Sequence, residues 1–242
     1  MKLRLVILLI VMALLMSCAK TAVYKSSEEK LAKADEFYAN KKYARAAELY
    51  QDVYFERSTA QTAYALMRQA DSYFALNKFA EARVAYEEFM NAFPKHENAS
   101  TAMFQSALCM LEESLPAQYD QSETIAAINV FRRFIEKYPN DERYQSAIEY
   151  IRKGQNKLIE KRYRNGYISY KMKDYSAALM YFDEVTDLGN DNEWDKLSLY
   201  YSAVICKKQK RMDEAVSYYQ SLAQKYPQSK EAKKLAKKFA KY

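Results

Sequence analysis

The feature that most constrains this chain is an internal period. Ala34, Phe37, Tyr43, Ala46, Tyr50 and Val53 recur as Ala70, Tyr73, Phe79, Ala82, Tyr86 and Phe89, every pair 36 residues apart. Within each copy the pattern is a small residue, two others and an aromatic, then an alanine, three others and an aromatic. That spacing predicts two consecutive helices, each presenting a small residue on the face that meets its partner. Three looser copies follow. One uses Ala107 and Met110, then Ala127, Phe131, Phe134 and Pro139 after an insertion. The others use Gly166, Tyr175, Ala178, Phe182 and Val185, and Ala203, Cys206, Met212, Ala215, Tyr219, Leu222 and Pro227. A unit this short cannot bury its apolar face alone and gains a core only by stacking on its neighbours. Three glycines and four prolines in 242 residues also leave little scope for the turns of a sandwich or barrel.

The spacing is that of the tetratricopeptide repeat, whose nominal length is about 34 residues. The expected fold is therefore all-α, a tetratricopeptide-repeat solenoid of about five helix pairs. Pro94, Pro139 and Pro227 fall at one repeat position, each after an aromatic (Phe93, Tyr138, Tyr226). A proline there ends the second helix, because the residue before it is pushed out of the α region. The third repeat carries an insertion, Glu112–Asp120, that Pro116 makes a loop, and Tyr144–Glu160 has a helical pattern that predicts a longer helix. Ala232, Leu235, Ala236 and Phe239 lie on one face of a lysine-rich tail, which reads as a C-terminal capping helix. The 23 tyrosines are expected to be mainly packing material between helices, with hydroxyls reaching the surface.

The first residues have a different character. Lys2 and Arg4 precede an apolar run, Leu5–Leu15, then Met16, Ser17 and Cys18. This is the anatomy of a secretory signal peptide, and it is shorter than the roughly 20 apolar residues of a membrane span. Leu15-Met16-Ser17-Cys18 resembles the bacterial lipobox, in which the cysteine is acylated, with palmitate for example, and becomes the mature N-terminus. The expected organisation is a signal peptide at 1–17, a lipidated N-terminus and flexible tether at 18–27, and one repeat domain at 28–242 with halves at 28–139 and 140–242. Cys109 and Cys206 sit in separate apolar-periodic stretches and are expected to be unpaired.

Chemistry is poorly supplied. His96 is the one histidine and follows Pro94 in a connection between helix pairs. No metal-ligand spacing, phosphate-cradling loop or cofactor motif appears, so no catalytic residue, metal or cofactor is expected. The formal charge is +7 with acidic and basic residues interleaved, the usual solvated helix surface, and an exported chain without a nucleic-acid motif is not expected to bind nucleic acid. A binding scaffold is the better reading. Arrays of this kind bind through the surface lined by the first helix of each pair. There, Asp35, Tyr38, Met67, Asp71 and Phe74 form a candidate groove for an extended peptide with apolar and basic side chains. The Lys/Asn pair by which some such domains clamp a C-terminal carboxylate is replaced by Leu31 and Asp35.

The chain resembles the BamD family, tetratricopeptide lipoproteins of the bacterial machinery that assembles outer-membrane β-barrels. The most specific stretch runs from Tyr86 to Tyr144: Tyr86-Glu-Glu-Phe-Met-Asn-Ala-Phe-Pro94-Lys-His96, Met103-Phe-Gln-Ser-Ala-Leu108, Tyr119-Asp120-Gln-Ser and Phe131-Arg-Arg-Phe-Ile-Glu-Lys-Tyr-Pro139-Asn-Asp. The resemblance implies an outer-membrane lipoprotein facing the periplasm. It implies a C-terminal half (about 145–242) that docks on the barrel-inserting subunit BamA, and N-terminal repeats (about 28–110) that recognise the C-terminal signal of unfolded outer-membrane proteins. The alternative is a generic tetratricopeptide lipoprotein scaffold that coordinates cell-envelope or peptidoglycan assembly.

Overall fold

The computed structural model describes Tyr24, residues 26–56 and residues 61–240. The signal segment 1–17, Cys18 and most of the proposed tether lie outside the described residues. The described residues form eleven helices and no strand: α1 (Ser27–Ala39), α2 (Tyr43–Glu56), α3 (Thr62–Ala75), α4 (Phe79–Ala92), α5 (Ala99–Glu113), α6 (Ser122–Lys137), α7 (Tyr144–Lys171), α8 (Tyr175–Thr186), α9 (Glu193–Lys208), α10 (Met212–Lys225) and α11 (Lys230–Phe239). The fold class is all-α, of the tetratricopeptide-repeat solenoid type. Contacts divide the chain into two units, Met1–Ser72 and Tyr73–Tyr242.

The small residues behave as the period predicts. Ala34, Ala70, Ala107 and Ala203 of the first helices, and Ala46, Ala82, Ala127, Ala178 and Ala215 of the second, are all 0% exposed. Gly166 shows the reason most directly. A methyl group added there would lie 2.8 Å from Phe182 Cε1 and 3.1 Å from Tyr181 Cβ, so α7 and α8 meet at a point with no room for a side chain. The aromatics fill what the small residues leave. In the first unit Tyr50 and Val53 are fully buried with Leu31 and Ala65. In the second, Phe131 and Phe134 close one core with Phe104, and Phe182, Leu222 and Leu235 close another. Each such ring or aliphatic side chain contributes about 1.5–3 kcal/mol by leaving water.

Four of the five turns inside helix pairs share one construction. The first helix ends in a residue with positive φ: Lys41 (57°), Asn77 (57°), Lys173 (65°) and Lys210 (65°). The next amide reaches back five residues, Lys42 to Phe37, Lys78 to Tyr73, Asp174 to Ser169 and Arg211 to Cys206, at 2.8–3.0 Å. This is a Schellman motif, in which a left-handed residue lets the chain satisfy the last carbonyls of a helix. Between pairs the prolines act as expected. Phe93, Tyr138 and Tyr226 have φ near −130° and ψ of 56°, 61° and 56°, well outside the helical region.

The third repeat replaces its turn with the insertion, and Gln121 holds that insertion together. Its amide donates to the carbonyls of Leu115, Pro116 and Asp120 at 2.9–3.0 Å, while its oxygen accepts from the Thr124 hydroxyl at 2.8 Å. From α7, Lys157 donates to Ser114 and Lys161 to the Tyr119 carbonyl. The predicted long helix is α7, 28 residues without a break. The tail forms α11, with Ala232, Leu235 and Phe239 buried and Phe239 stacked on Tyr219 at 5.4 Å. Cys109 and Cys206 are buried free thiols, and burial pushes the Cys109 thiol up to about 12.

Two predictions follow from this packing. Gly166→Ala places a methyl against the fully buried Phe182 and lowers stability by about 1–2 kcal/mol, because overpacking outweighs the gain in helix propensity. Gly154→Ala meets Cγ1 and Cδ1 of Ile128 at 2.8 and 2.9 Å, an aliphatic side chain that can change rotamer where the Phe182 ring cannot, and changes the urea midpoint less; equal shifts for both would refute the packing argument. The second concerns Asp141. Arg143 donates to it from Nε and Nη2 at 2.8 and 2.7 Å and also reaches Ser100 and Thr101, tying the α6–α7 turn to the start of α5. The hydrogen bonds from Arg143 hold the Asp141 carboxyl down to about 2. Its stabilisation is complete above the unfolded value near 3.8 and is lost as pH falls towards about 2. The stability difference between wild type and Asp141→Asn is therefore about 2 kcal/mol at pH 6 and shrinks towards zero by pH 2, measured by urea unfolding across that range.

Candidate peptide-binding site

The first unit brings the candidate residues together in an arrangement different from an open acidic groove. Asp35 of α1 is half-buried, and its Oδ1 accepts the hydroxyls of Tyr50 at 2.5 Å and Tyr64 at 2.9 Å. Tyr50 is fully buried while Tyr64 is 42% exposed, so one carboxylate ties a core tyrosine to a surface one. Burial, and then the bond to Asp35, pushes both hydroxyls above the ordinary tyrosine value, which keeps them protonated donors. Asp71 of α3 is paired with Arg68 one turn earlier, at 3.3 Å. The Arg68 guanidinium lies over the Tyr38 ring at 3.6 Å, close enough for a cation–π contact, and 5.9 Å from the Tyr64 ring. Its Nε is buried and has no hydrogen-bond partner among the described residues.

The remaining candidates have structural partners. Met67 is 6% exposed and belongs to the core rather than to an open surface. Tyr38 packs edge-on against Tyr43 at 5.1 Å, and Phe74 packs in the same way against Phe79 at 5.4 Å. Tyr170 and Tyr175 repeat the pairing across the α7–α8 turn at 6.3 Å. Tyr38 and Phe74 are thus staples across the turn inside a helix pair. Sequence reasoning missed Arg68, although its spacing of three from Asp71 on one helix was a usable signal. It could not find the meeting of Asp35 with Tyr50 and Tyr64, which are 15 and 29 positions away.

What this cluster offers a ligand is an arginine–tyrosine surface, Arg68 with the outer parts of Tyr38 and Tyr64, held in place by two carboxylates already in use. His96 supplies no second centre. Its Nδ1 accepts the Asn98 amide at 3.1 Å, and its ring packs edge-on against Phe89 at 5.3 Å, so it closes the turn after Pro94. No group of His, Cys, Asp or Glu among the described residues could hold a metal ion, and none of the described helices is long and apolar enough to cross a membrane.

Comparison with known proteins gives these features a family. The model of the YfiO family, described as outer membrane lipoprotein, matches residues 16–187. The chain belongs to this outer-membrane lipoprotein family. The match begins before Cys18 and runs through the insertion and α7 to the end of α8, and the family is a BamD-type, non-enzymatic one. A tetratricopeptide-repeat model matches residues 197–229. The outer membrane protein assembly factor BamD of Rickettsia prowazekii (strain Madrid E) is 27% identical over 191 residues, which is 78% of this chain and 76% of that protein. The protein of the same name from Caulobacter vibrioides is 29% identical over 86 residues, 36% of this chain and 26% of that protein. Among solved structures, a tetratricopeptide repeat protein from Parabacteroides merdae is 16% identical with a TM-score of 0.39, over 88% of this chain and 73% of that one.

The buried link at Asp35 makes a prediction independent of any ligand. Asp35→Ala leaves the Tyr50 hydroxyl buried without an acceptor and costs about 1–3 kcal/mol. An unchanged urea midpoint would show that the carboxylate is free for a partner after all.

Proposed function

We propose that this protein is a non-enzymatic, lipid-anchored scaffold that assists assembly of β-barrel proteins in the outer membrane. The observation that carries the reading is the family match across residues 16–187, from the lipobox-like segment through the repeats. Two matched relatives bear the name of outer membrane protein assembly factor. In this reading Cys18 carries the acyl chains and residues 18–27 form the tether. The repeats then stand at the periplasmic face of the membrane in which clients insert. Two or more acyl chains anchor such a domain stably, at about 0.8 kcal/mol per buried methylene.

The finer assignments separate the first helices from the C-terminal half. We infer that the α1–α3 surface, with Tyr38, Arg68 and Tyr64 outermost, receives segments of unfolded client proteins. An arginine over a tyrosine ring suits aromatic side chains and backbone carbonyls, because it offers donors beside an apolar face. Asp35 holds the Tyr64 hydroxyl, Asp71 pairs with Arg68, Met67 of the same helix packs in the core, and Phe74 stiffens the turn after α3. The C-terminal half, about 145–242, is the proposed dock for a BamA-like barrel protein.

Affinity purification from native membranes through a tag at Tyr242 tests the reading. Recovery of a BamA-like β-barrel protein is expected; recovery of peptidoglycan enzymes without one would sink it. Cys18→Ala should move the protein from the membrane to the soluble envelope fraction, and unchanged membrane retention would refute lipidation at Cys18.

A further inference from the structure

The reading above gives the C-terminal half to a barrel partner without naming a contact surface there, and one cleft within that half has a chemistry of its own. The first helices α7 and α9, closed at one end by α11, enclose an open cleft of about 580 Å³. Its walls are tyrosines. Tyr201 stands 5.0 Å from Tyr170 and 5.2 Å from Tyr200, ring centre to ring centre, and Leu197 and Val204 complete the apolar lining. These rings are half-buried: packed on one side and open to the cleft on the other. Tyrosine presents a large rigid surface at little entropic cost, which is why binding surfaces favour it.

The rim is cationic. Lys171 is exposed at the end of α7 and has no partner among the described residues. The Lys230 side chain is 91% exposed, and Lys234 lies 5.5 Å from the Tyr200 ring. Glu231 is the single acid in the lining. It is 6% exposed, its nearest cations are Lys196 at 3.9 Å and Lys230 at 3.8 Å, and its Oε2 has no hydrogen-bond partner among the described residues, but the three lysines of the lining outnumber it. Residues 193–240 contain eleven Lys and Arg against five Asp and Glu, so this part of the chain is cationic overall. A positive field in a concave, low-dielectric wall concentrates anions.

We propose that this cleft binds an acidic peptide segment of a partner protein. One apolar side chain of the segment lies against Tyr170 and Tyr201, and flanking carboxylates meet Lys171, Lys230 and Lys234. A flat anionic membrane reaches the rim lysines but not the tyrosines behind them, so concavity favours a chain over a bilayer. The inference rests on the chemistry of this cleft and not on which protein docks on the C-terminal half, nor on the α1–α3 surface.

The test uses the detergent-solubilised full chain and a fluorescein-labelled twelve-residue peptide of Asp and Glu with a single central Phe, followed by anisotropy. Binding is expected to weaken at least fivefold when the Phe is replaced by Ala, and to weaken steeply as salt rises. Both comparisons need no variant of the protein. Lys171→Glu with Lys230→Glu should weaken binding at least tenfold. Lys233→Glu with Lys237→Glu, an equal charge change outside the lining, should stay within twofold. Circular dichroism should show the same thermal midpoint for both doubles. Equal loss in the two doubles, or indifference to the Phe, would overturn the proposal in favour of a diffuse charge effect. Displacement of the peptide by micelles doped with phosphatidylglycerol, at matched charge, would overturn it in favour of a lipid surface. Capture of a barrel protein in the purification described above can fail without affecting any of these outcomes.

Discussion

The structure depends on close approach between helices at residues too small to keep backbones apart. Where α7 meets α8, Gly166 leaves no space even for a methyl group beside Phe182. The alanines at matching positions of the other helices are fully buried. Close approach forces the large side chains to the sides of each contact, where Tyr50, Phe131, Phe134 and Phe182 become the fill between one layer and the next. A core made this way is a row of local clusters, and its stability adds up from pair to pair. Such a scaffold tolerates an insertion in one repeat, as between α5 and α6, without losing its neighbours.

The same constraint explains the connections. Helices that touch must be joined by tight turns, and this chain makes them with Lys41, Asn77, Lys173 and Lys210 in the left-handed region instead of glycine. Non-glycine residues there cost about 1 kcal/mol each, offset by the paired carbonyls of the Schellman motif and, at three of the four turns, by an aromatic staple. Residues that look chemical in the sequence also serve connections. His96 accepts an amide after Pro94, Gln121 gathers the carbonyls of the insertion, and Asp141 holds Arg143. The stretch that most resembled a known family is therefore a set of turn-closing devices, and their geometry accounts for residue types that no active site requires.

Repeat spacing made the helix pairs, the buried alanines, the proline stops, the long α7 and the capping face of α11 legible, because each depends on residues close in sequence. Three of the four left-handed turns were not legible, since lysine at such a position carries no local signal; only Asn77 is of a type that favours it. The site was legible only in part. Asp35, Tyr38 and Asp71 do lie in one cluster of the first unit, but their partners Tyr50, Tyr64 and Arg68 come from other turns and helices. Asp35 is spent on tyrosine hydroxyls, and Met67 faces the core. Periodicity says which face a residue occupies; it does not say which distant hydroxyl will claim its carboxylate.

A scaffold of this kind acts by holding surfaces at a place, and family membership locates that place at the outer membrane. The arginine–tyrosine surface of α1–α3 and the tyrosine–lysine cleft of α7, α9 and α11 are two chemically distinct faces on one chain. The central claim is that this chain serves β-barrel assembly. The most direct measurement is depletion of the protein in its native cell, with pulse-chase of an outer-membrane β-barrel read by its heat-modifiable folded form. The account predicts that folded barrel falls and unfolded precursor accumulates before growth slows. Normal barrel folding during depletion, with peptidoglycan cross-linking altered instead, would contradict it.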